Sequence, residues 1–543
     1  MLRRDLQRRS NLLLRCRLCV IRNERLDVAP PCLAHATTSH VYYTNDIHGR
    51  VPLKTTSHMR LVLVVLCVGC GVWCSSSYGQ TIYANSCSSS DVQAALNSVN
   101  ADGFTVAVPS GRCTWTAAVT PPCYSLTLQG AGANSTHIIV NIPAGWGNDA
   151  IFVNGCSGKQ FRITGFDWQY ESADAFGLLM FTGGTGLSLR IDNNNCEPYA
   201  ANPGYGRFFS FRVPVISPGA VIDHNTITDC GSIVENLQAT DSITLPTKAN
   251  GATAWTQPMP FESVNAVYYE DNTISNPSYA THEIDLSDCD DGGAYVYRYN
   301  TTTKGVIGNH GFDSTDNGCR MENVYHNTID PQSTANWGIQ YRGGTGVDWS
   351  NTWLSNAVSY NFGITTYRSD SNGYVGSTDH GHCDGTNSFD KNVNVPVSIG
   401  YHCNEQIGMG SGPNHGWDSQ PLYEWDNCKT TLGCTGTGSQ ITATLYDPSN
   451  GEWWGPKEIV QSRDYYDSVS NFDGTVGVGI GIYADIPSTC TTGVGYWATD
   501  QQTLYQCNSK NTWTSFYQPF TYPHPLTLGP PPAAPSNLQA TVQ

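Results

Sequence analysis

The densest run of chemistry-bearing side chains is the stretch THEIDLSDCDDG from Thr281 to Gly292; a second, NHGFDSTDNG, runs from Asn309 to Gly318. Each follows an Asn-Thr pair at a fixed distance. Counted from Asn272 and Asn300, His282 and His310 fall ten residues on, and Asp285 and Asp313 thirteen. Counted from Asn327, Gln340 takes the thirteenth place and Arg342 lies two beyond. In a chain that coils with this repeat, these side chains stack. Strand alternation then points Ile284, Leu286 and Phe312 inward, and Glu283, Asp285, Asp313, Gln340 and Arg342 outward.

Carboxylates stacked about 4.8 Å apart repel by roughly 3–4 kcal/mol at an effective dielectric near 20. A cation between them relieves this, and calcium held by Glu283, Asp285 and Asp313 is the form expected. An arginine such as Arg342 relieves it too, and so does a shared proton, which makes an acid/base pair of Asp285 and Asp313. The plain alternative is a solvated acidic face whose charges relax apart. His310 and His282 share the parity of core residues. They are either corner histidines bonded to backbone or, for His310, a base reached from a groove. Trp337 and the pair Trp453-Trp454 offer flat apolar faces to sugar rings; burial as core or coil-end caps is the competing use. Gln340 and Tyr341, on the same run as Trp337, complete the expected substrate contacts. Asp313, Thr315, Asn317 and Gly318 copy the start of a calcium loop, but Val324 stands where its last acid belongs. The DHGHCD stretch from Asp379 to Asp384 has ligand-type residues but reads as a disulfide-pinned turn.

The elements that position these groups are legible from the repeat. Asn225-Thr226, Asn272-Thr273, Asn300-Thr301, Asn327-Thr328 and Asn351-Thr352 are spaced by 47, 28, 27 and 24 residues. A period of 24–28 holding several short β runs fits a β-solenoid. The 47-residue step is two coils, or one coil with an insertion. Asn at a fixed corner tolerates a left-handed backbone and stacks into a side-chain ladder. Ser88 to Leu96 opens like a capped helix that would cover the first coil's open end. The segment 239–262 reads as an insertion overhanging one face.

Composition sets the class. The chain has 543 residues, 54 of them Gly, only 13% charged, and a net charge of −17. Few charges and 28 Lys+Arg against 45 Asp+Glu exclude a nucleic-acid binder, a coiled coil and a disordered chain. Residues 1–58 are Arg-rich and aperiodic and read as an upstream extension. Met59-Arg60 followed by LVLVVLCVGCGVW reads as a secretory signal that ends at Gly79, too short for a comfortable membrane span. Beyond Gly79 the net charge is −24, from 17 basic and 41 acidic residues, and 14 cysteines remain. That even count and the lack of a C-x-x-C pair favour disulfides over zinc. In a solenoid sequence neighbours are space neighbours, so consecutive pairing, beginning 87–113 and 123–156, is expected. Residues 529–543 read as a Pro-rich linker and the first strand of a cut-off fibronectin type III-like module.

The order of a cysteine, a helix, VAVPSGRCTWT, LTLQGAG and repeated HNTIT-like rungs resembles the right-handed parallel β-helix proteins of the pectate-lyase-like superfamily. The runs VYRYNTTTKGVIGNHG, ENVYHNTID, GYHCNEQIG, SRDYYDS and FTYPHPL are similar to a secreted bacterial group of that superfamily, mostly of unassigned activity. The resemblance covers roughly residues 80–528. It implies an all-β, right-handed parallel β-helix with a short N-terminal capping helix, acting outside the cell on a polysaccharide. It implies lyase-type β-elimination in an outer-face groove, with calcium neutralising the uronate and Arg342 or a histidine as base. A glycoside hydrolase with paired carboxylates and a non-catalytic glycan-binding adhesin are the alternatives. The negative charge counts against a polyuronate unless calcium bridges the two.

Overall fold

A computed structural model describes residues 79–528, except 144–147, 172–176, 200–205, 214, 236–261, 277–284, 291, 310, 312–318, 333–336, 355–359, 368–406, 409–418, 431–438, 446–452 and 455–458. Short β runs of two to nine residues alternate with sharp corners, so the chain coils and each strand pairs with its counterpart one coil away. Three parallel sheets result, of twelve, ten and nine strands, called here the first, second and third. This is the all-β parallel β-helix expected. The 47-residue step is a single coil with an insertion, because Thr226 pairs directly with Thr273. Inward rows form the core: Val106, Leu128, Ile163, Ile191, Ile222, Tyr269, Tyr297 and Val324 stack on successive coils of the first sheet.

The corner asparagines form a continuous ladder through Asn194, Asn225, Asn272, Asn300, Asn327, Asn351 and Asn427, all at most 2% exposed. Each backbone N–H donates to the Oδ1 of the next asparagine, at 2.9–3.0 Å. Each Nδ2 from Asn225 to Asn351 donates back to a strand carbonyl such as Ile191 or Ile222. The buried amide is thus used from both ends. The left-handed turn falls on the residue before the asparagine, not on the asparagine itself: His224, Asp271, Tyr299 and His326 have φ of 55–59°. The ladder takes over the hydrogen bonds that this conformation exposes.

The N-terminal opening is closed by the helix Ser89–Leu96, whose first turn is capped by Ser88 accepting from the Asp91 N–H and which buries Val92, Ala95 and Leu96. Disulfides join 87–113, 123–156, 196–230, 289–319 and 490–507, each between consecutive cysteines of residues 80–543, as the solenoid argument requires. Cys428 is also disulfide-bonded, and Cys383, Cys403 and Cys434 lie outside the described residues. Five such bonds fit a chain matured in an oxidising compartment. Among the described residues no helix is long and apolar enough to cross a membrane.

Beyond strand Tyr465–Tyr466 the chain leaves the coil. It forms a four-stranded sheet of Val478–Gly481, Gly495–Ala498, Thr503–Ser509 and Thr512–Tyr517. This module packs on the outer side of the first sheet around Tyr325, Val347, Trp349, Trp425 and Trp497. Trp349 stacks on Trp425 at 5.4 Å and 7°. The chain then runs back across the first sheet and is held by buried charges. Arg298 pairs with Glu270 and donates to the carbonyls of Phe520 and Thr521. Glu262 accepts from Tyr325 Oη, Tyr517 Oη and the Phe520 N–H. Glu270 also accepts the His524 N–H. Arg298→Met would leave two buried carboxylates without their cation, which costs about 3–5 kcal/mol. Denaturant melts should show that loss, and limited proteolysis should then cut within 517–528 first. A variant as stable and as resistant as the parent would contradict the clamp.

The inward row of the first sheet changes character at its C-terminal end, where Asp348 and Glu424 continue the line of Val324, with Asp467 beside Glu424. Burial pushes Asp348 up to about 7, and Glu262 as well. Burial and the neighbouring Asp467 and Asp348 push Glu424 well above the ordinary carboxylate range. A carboxyl whose folded pKa is raised contributes stability fully below its unfolded pKa and loses it as pH rises through the folded value. His524, lowered to about 4 by burial and Arg298, opposes this, but only below its unfolded value of about 6.5. The unfolding free energy should therefore fall between pH 6.5 and 8.5, by up to about 1.4 kcal/mol per carboxyl per pH unit, and the melting temperature with it. Asp348→Asn should flatten the slope. A flat or rising profile in the parent would refute the assignment.

Candidate functional site

Four strands near the N-terminal end of the second sheet are Gly111–Trp115, Thr136–Val140, Asp167–Tyr170 and Asn195–Pro198. Cys113, Ile138, Trp168 and Cys196 share one inward row. Alternation therefore puts Arg112, His137, Asp167 and Asn195 on one outer row, and Thr114, Ile139, Gln169 and Glu197 on the next. Apart from the buried Ile139, both rows are polar.

These side chains form one connected network. His137 Nδ1 lies 2.6 Å from Asp167 Oδ2. Gln169 Nε2 donates to Asp167 Oδ2 at 2.9 Å and to Glu197 Oε1 at 2.6 Å, while its Oε1 accepts from Arg112 Nη2 at 2.6 Å. Arg112 also lies over the Tyr199 ring, 5.5 Å from its centroid, and that ring is 44% exposed. Burial raises the Asp167 pKa, and Glu197 adds to the rise, while His137 and Arg112 work against it. Asp167 Oδ1 is buried without a partner among the described residues. With Asp167 ionised, His137 Nδ1 carries the proton and Nε2 is the free basic atom. The His137 side chain is 28% exposed, and Arg112 is exposed. A base held in one tautomer, a cation with open N–H groups, two carboxylates and an exposed ring thus meet on one outer face.

The residues expected from the sequence are placed as follows. Glu283, His310 and Asp313 lie outside the described residues, as does His282. Asp285 opens the strand Asp285–Asp290, whose register slips between Asp285 and Ser287. Ser287 is set level with Ile307, and Ile307 with Ile339. Counting from the corner asparagines misses this pairing, because it assumes turns of equal length, whereas Val306, level with Asp285, lies only six residues past Asn300. Trp337, Gln340 and Tyr341 share the strand Trp337–Tyr341 of the third sheet. Tyr341 points inward as part of the core, its hydroxyl donating to the Glu322 carbonyl. Trp337 is buried at 7% exposure, its ring against Gly363, and Gln340 is buried too. Arg342 is buried, with Nε donating to the Asn309 carbonyl. Among the described residues no group of three or more His, Cys, Asp or Glu is arranged to hold a metal.

A groove of about 250 Å³ lies on the first sheet around Thr127, Gln160, Arg162, Arg190 and Leu526. Its cations are already committed, Arg162 to Asp192 and Arg190 to Asp223. Asp223 is held below the usual range despite burial, because His224 and Arg190 bond to it.

The second-sheet network was not anticipated from the sequence. Its signal was present: aligning GRCTW, THIIV, DWQY and NCEP on their inward residues brings Arg112, His137 and Asp167 into one column. The corner Asn-Thr signature begins only at Asn225, so the count never reached these coils. Comparisons with protein-family models, with curated proteins and with solved structures give no match. The fold and disulfides define a class, the disulfide-bonded parallel β-helix.

If the network is one unit, Gln169→Leu strands the Asp167 and Glu197 carboxylates and costs about 1–3 kcal/mol. A double-mutant cycle of Gln169→Leu with Glu197→Gln should show coupling of roughly 0.5–3 kcal/mol. Strict additivity would separate the two residues.

Proposed function

We propose that this is a secreted, carbohydrate-active protein of the pectate-lyase-like kind that cleaves a uronate-containing extracellular polysaccharide by β-elimination on the outer face of its second sheet. The observation carrying this reading is the register pairing of Arg112 with His137 on adjacent coils, with His137 fixed by Asp167. Elimination needs two things. The uronate carboxylate must be neutralised, so that the C5 proton becomes acidic, and a base must take that proton. Arg112 spends one Nη on Gln169 and keeps further N–H groups for a carboxylate, which guanidinium binds as a fork. His137 Nε2 takes the C5 proton. The electron pair forms the C4–C5 double bond, and the C4–O bond breaks as the leaving oxygen gains a proton from solvent. Tyr199 gives an adjoining sugar ring a flat face beside Arg112. The net negative charge opposes a polyanion at long range, but beyond about 8 Å physiological salt screens it and the local pair decides.

A digest of a glycan panel, read at about 235 nm and for new reducing ends, with and without chelator, tests this. The expected result is a rise in absorbance that survives chelation and falls by about 10²–10⁴-fold in His137→Ala, with a comparable loss in Arg112→Ala. A calcium-dependent rise untouched by either variant would move the chemistry to Glu283, Asp285 and Asp313. Reducing ends without absorbance would point to a hydrolase using Asp167 and Glu197. Silence in both channels with glycan retention would leave a binding protein.

A further inference from the structure

The C-terminal module carries a cleft that the elimination chemistry does not use. It measures about 270 Å³ and is lined by Ser470, Asn471, Phe472, Ile480, Asp485 and Tyr496. Phe472 and Tyr496 stand 5.9 Å apart at 42°, an open V of two ring faces. The V is built by the backbone: a Cβ on Gly479 would collide with Phe472, and one on Gly481 with the Tyr496 hydroxyl. That hydroxyl is fixed by donating to the Ile482 carbonyl, so the ring cannot swing. Ser470, Asn471 and Asp485 are exposed at the rim. Ile482 and Tyr483 extend the apolar surface beyond it, with Tyr505 5.0 Å from Tyr483.

The geometry points to a binding cleft for a neutral sugar ring, separate from the second-sheet site. The size argues for one ring, since it falls just below the roughly 300 Å³ at which pockets for drug-sized ligands begin. The apolar C–H face of a pyranose fits an aromatic wall, and its hydroxyls need acceptors and donors on the rim. Asp485 supplies two acceptor oxygens, and the Asn471 amide and Ser470 hydroxyl supply both kinds. Among the described residues no cation lines the cleft, so a uronate finds no counter-charge there. A quaternary ammonium also suits aromatic faces and a carboxylate, but it has no use for the amide and hydroxyl on the same rim. The inference does not rest on the elimination reading. If both hold, the substrate is a mixed polymer in which neutral residues dock on the module while uronates are cleaved.

The test uses the full chain and saturation-transfer NMR with neutral mono- and disaccharides, uronates and choline as probes. At least one neutral sugar should bind. Asp485→Ala and Asn471→Ala should each weaken it tenfold or more at unchanged melting temperature, because both side chains are exposed. His137→Ala should leave it intact, which keeps this result apart from the cleavage assay. Absence of binding by every neutral sugar, binding unchanged in both rim variants, or choline or a uronate displacing the sugar would overturn the proposal.

Discussion

The asparagine ladder is the constraint from which the rest of the molecule follows. A parallel coil must turn a sharp corner on every circuit, and each corner leaves backbone groups without strand partners. Here one buried amide per coil accepts from one coil and donates to another, so the corners hold one another in register. Because the ladder absorbs the left-handed turn before each asparagine, residues as large as Tyr299 and His326 stand in that conformation. Losing one amide exposes the hydrogen-bonding debt of two coils, so a corner Asn→Ala change costs more than its own bonds suggest.

Much of the architecture was readable because solenoids write their geometry locally. The Asn-Thr spacing, the Ser88 helix cap and consecutive cysteine pairing all depend on neighbours in sequence, and all three appear in the structure. The site was less legible. Face assignment by counting works only while turns keep their length, and the coil of Asn300 breaks the count: Val306, six residues past its corner, stands level with Asp285, thirteen past Asn272. Alternation alone correctly separates Tyr341, in the core, from Gln340 and Arg342, but it does not say whether an outward residue meets solvent. All three are buried. The network of Arg112, His137, Asp167, Gln169 and Glu197 joins residues up to 85 apart in sequence, each unremarkable in its own strand.

Stacked carboxylates do occur, inside the coil rather than on its outer face. Asp348 and Glu424 continue an apolar row, and burial pushes both toward the protonated form, with Asn351, Asn427 and Ser439 donating to them. There, protonation favoured by burial takes the place of a counter-ion. The outer cations of the first sheet show the opposite solution, each guanidinium matched to a carboxylate on the next coil. Position relative to solvent decides which solution a stack adopts.

The clamp at Arg298 alters how the whole molecule comes apart. A solenoid is a line of coils, each held mainly by its two neighbours, and such a line can fray from either end. The bonds from Arg298 and Glu262 to Phe520 and Thr521 span 222, 223 and 258 residues. They fasten the end of the chain to its middle, and the four-stranded module is folded in between. Topologically the C-terminal half is a closed loop, so its last coils have no free end from which to unzip. Force or heat applied there meets one large cooperative block, while only the helix-capped N-terminal coils keep the gradual disassembly of an ordinary repeat array.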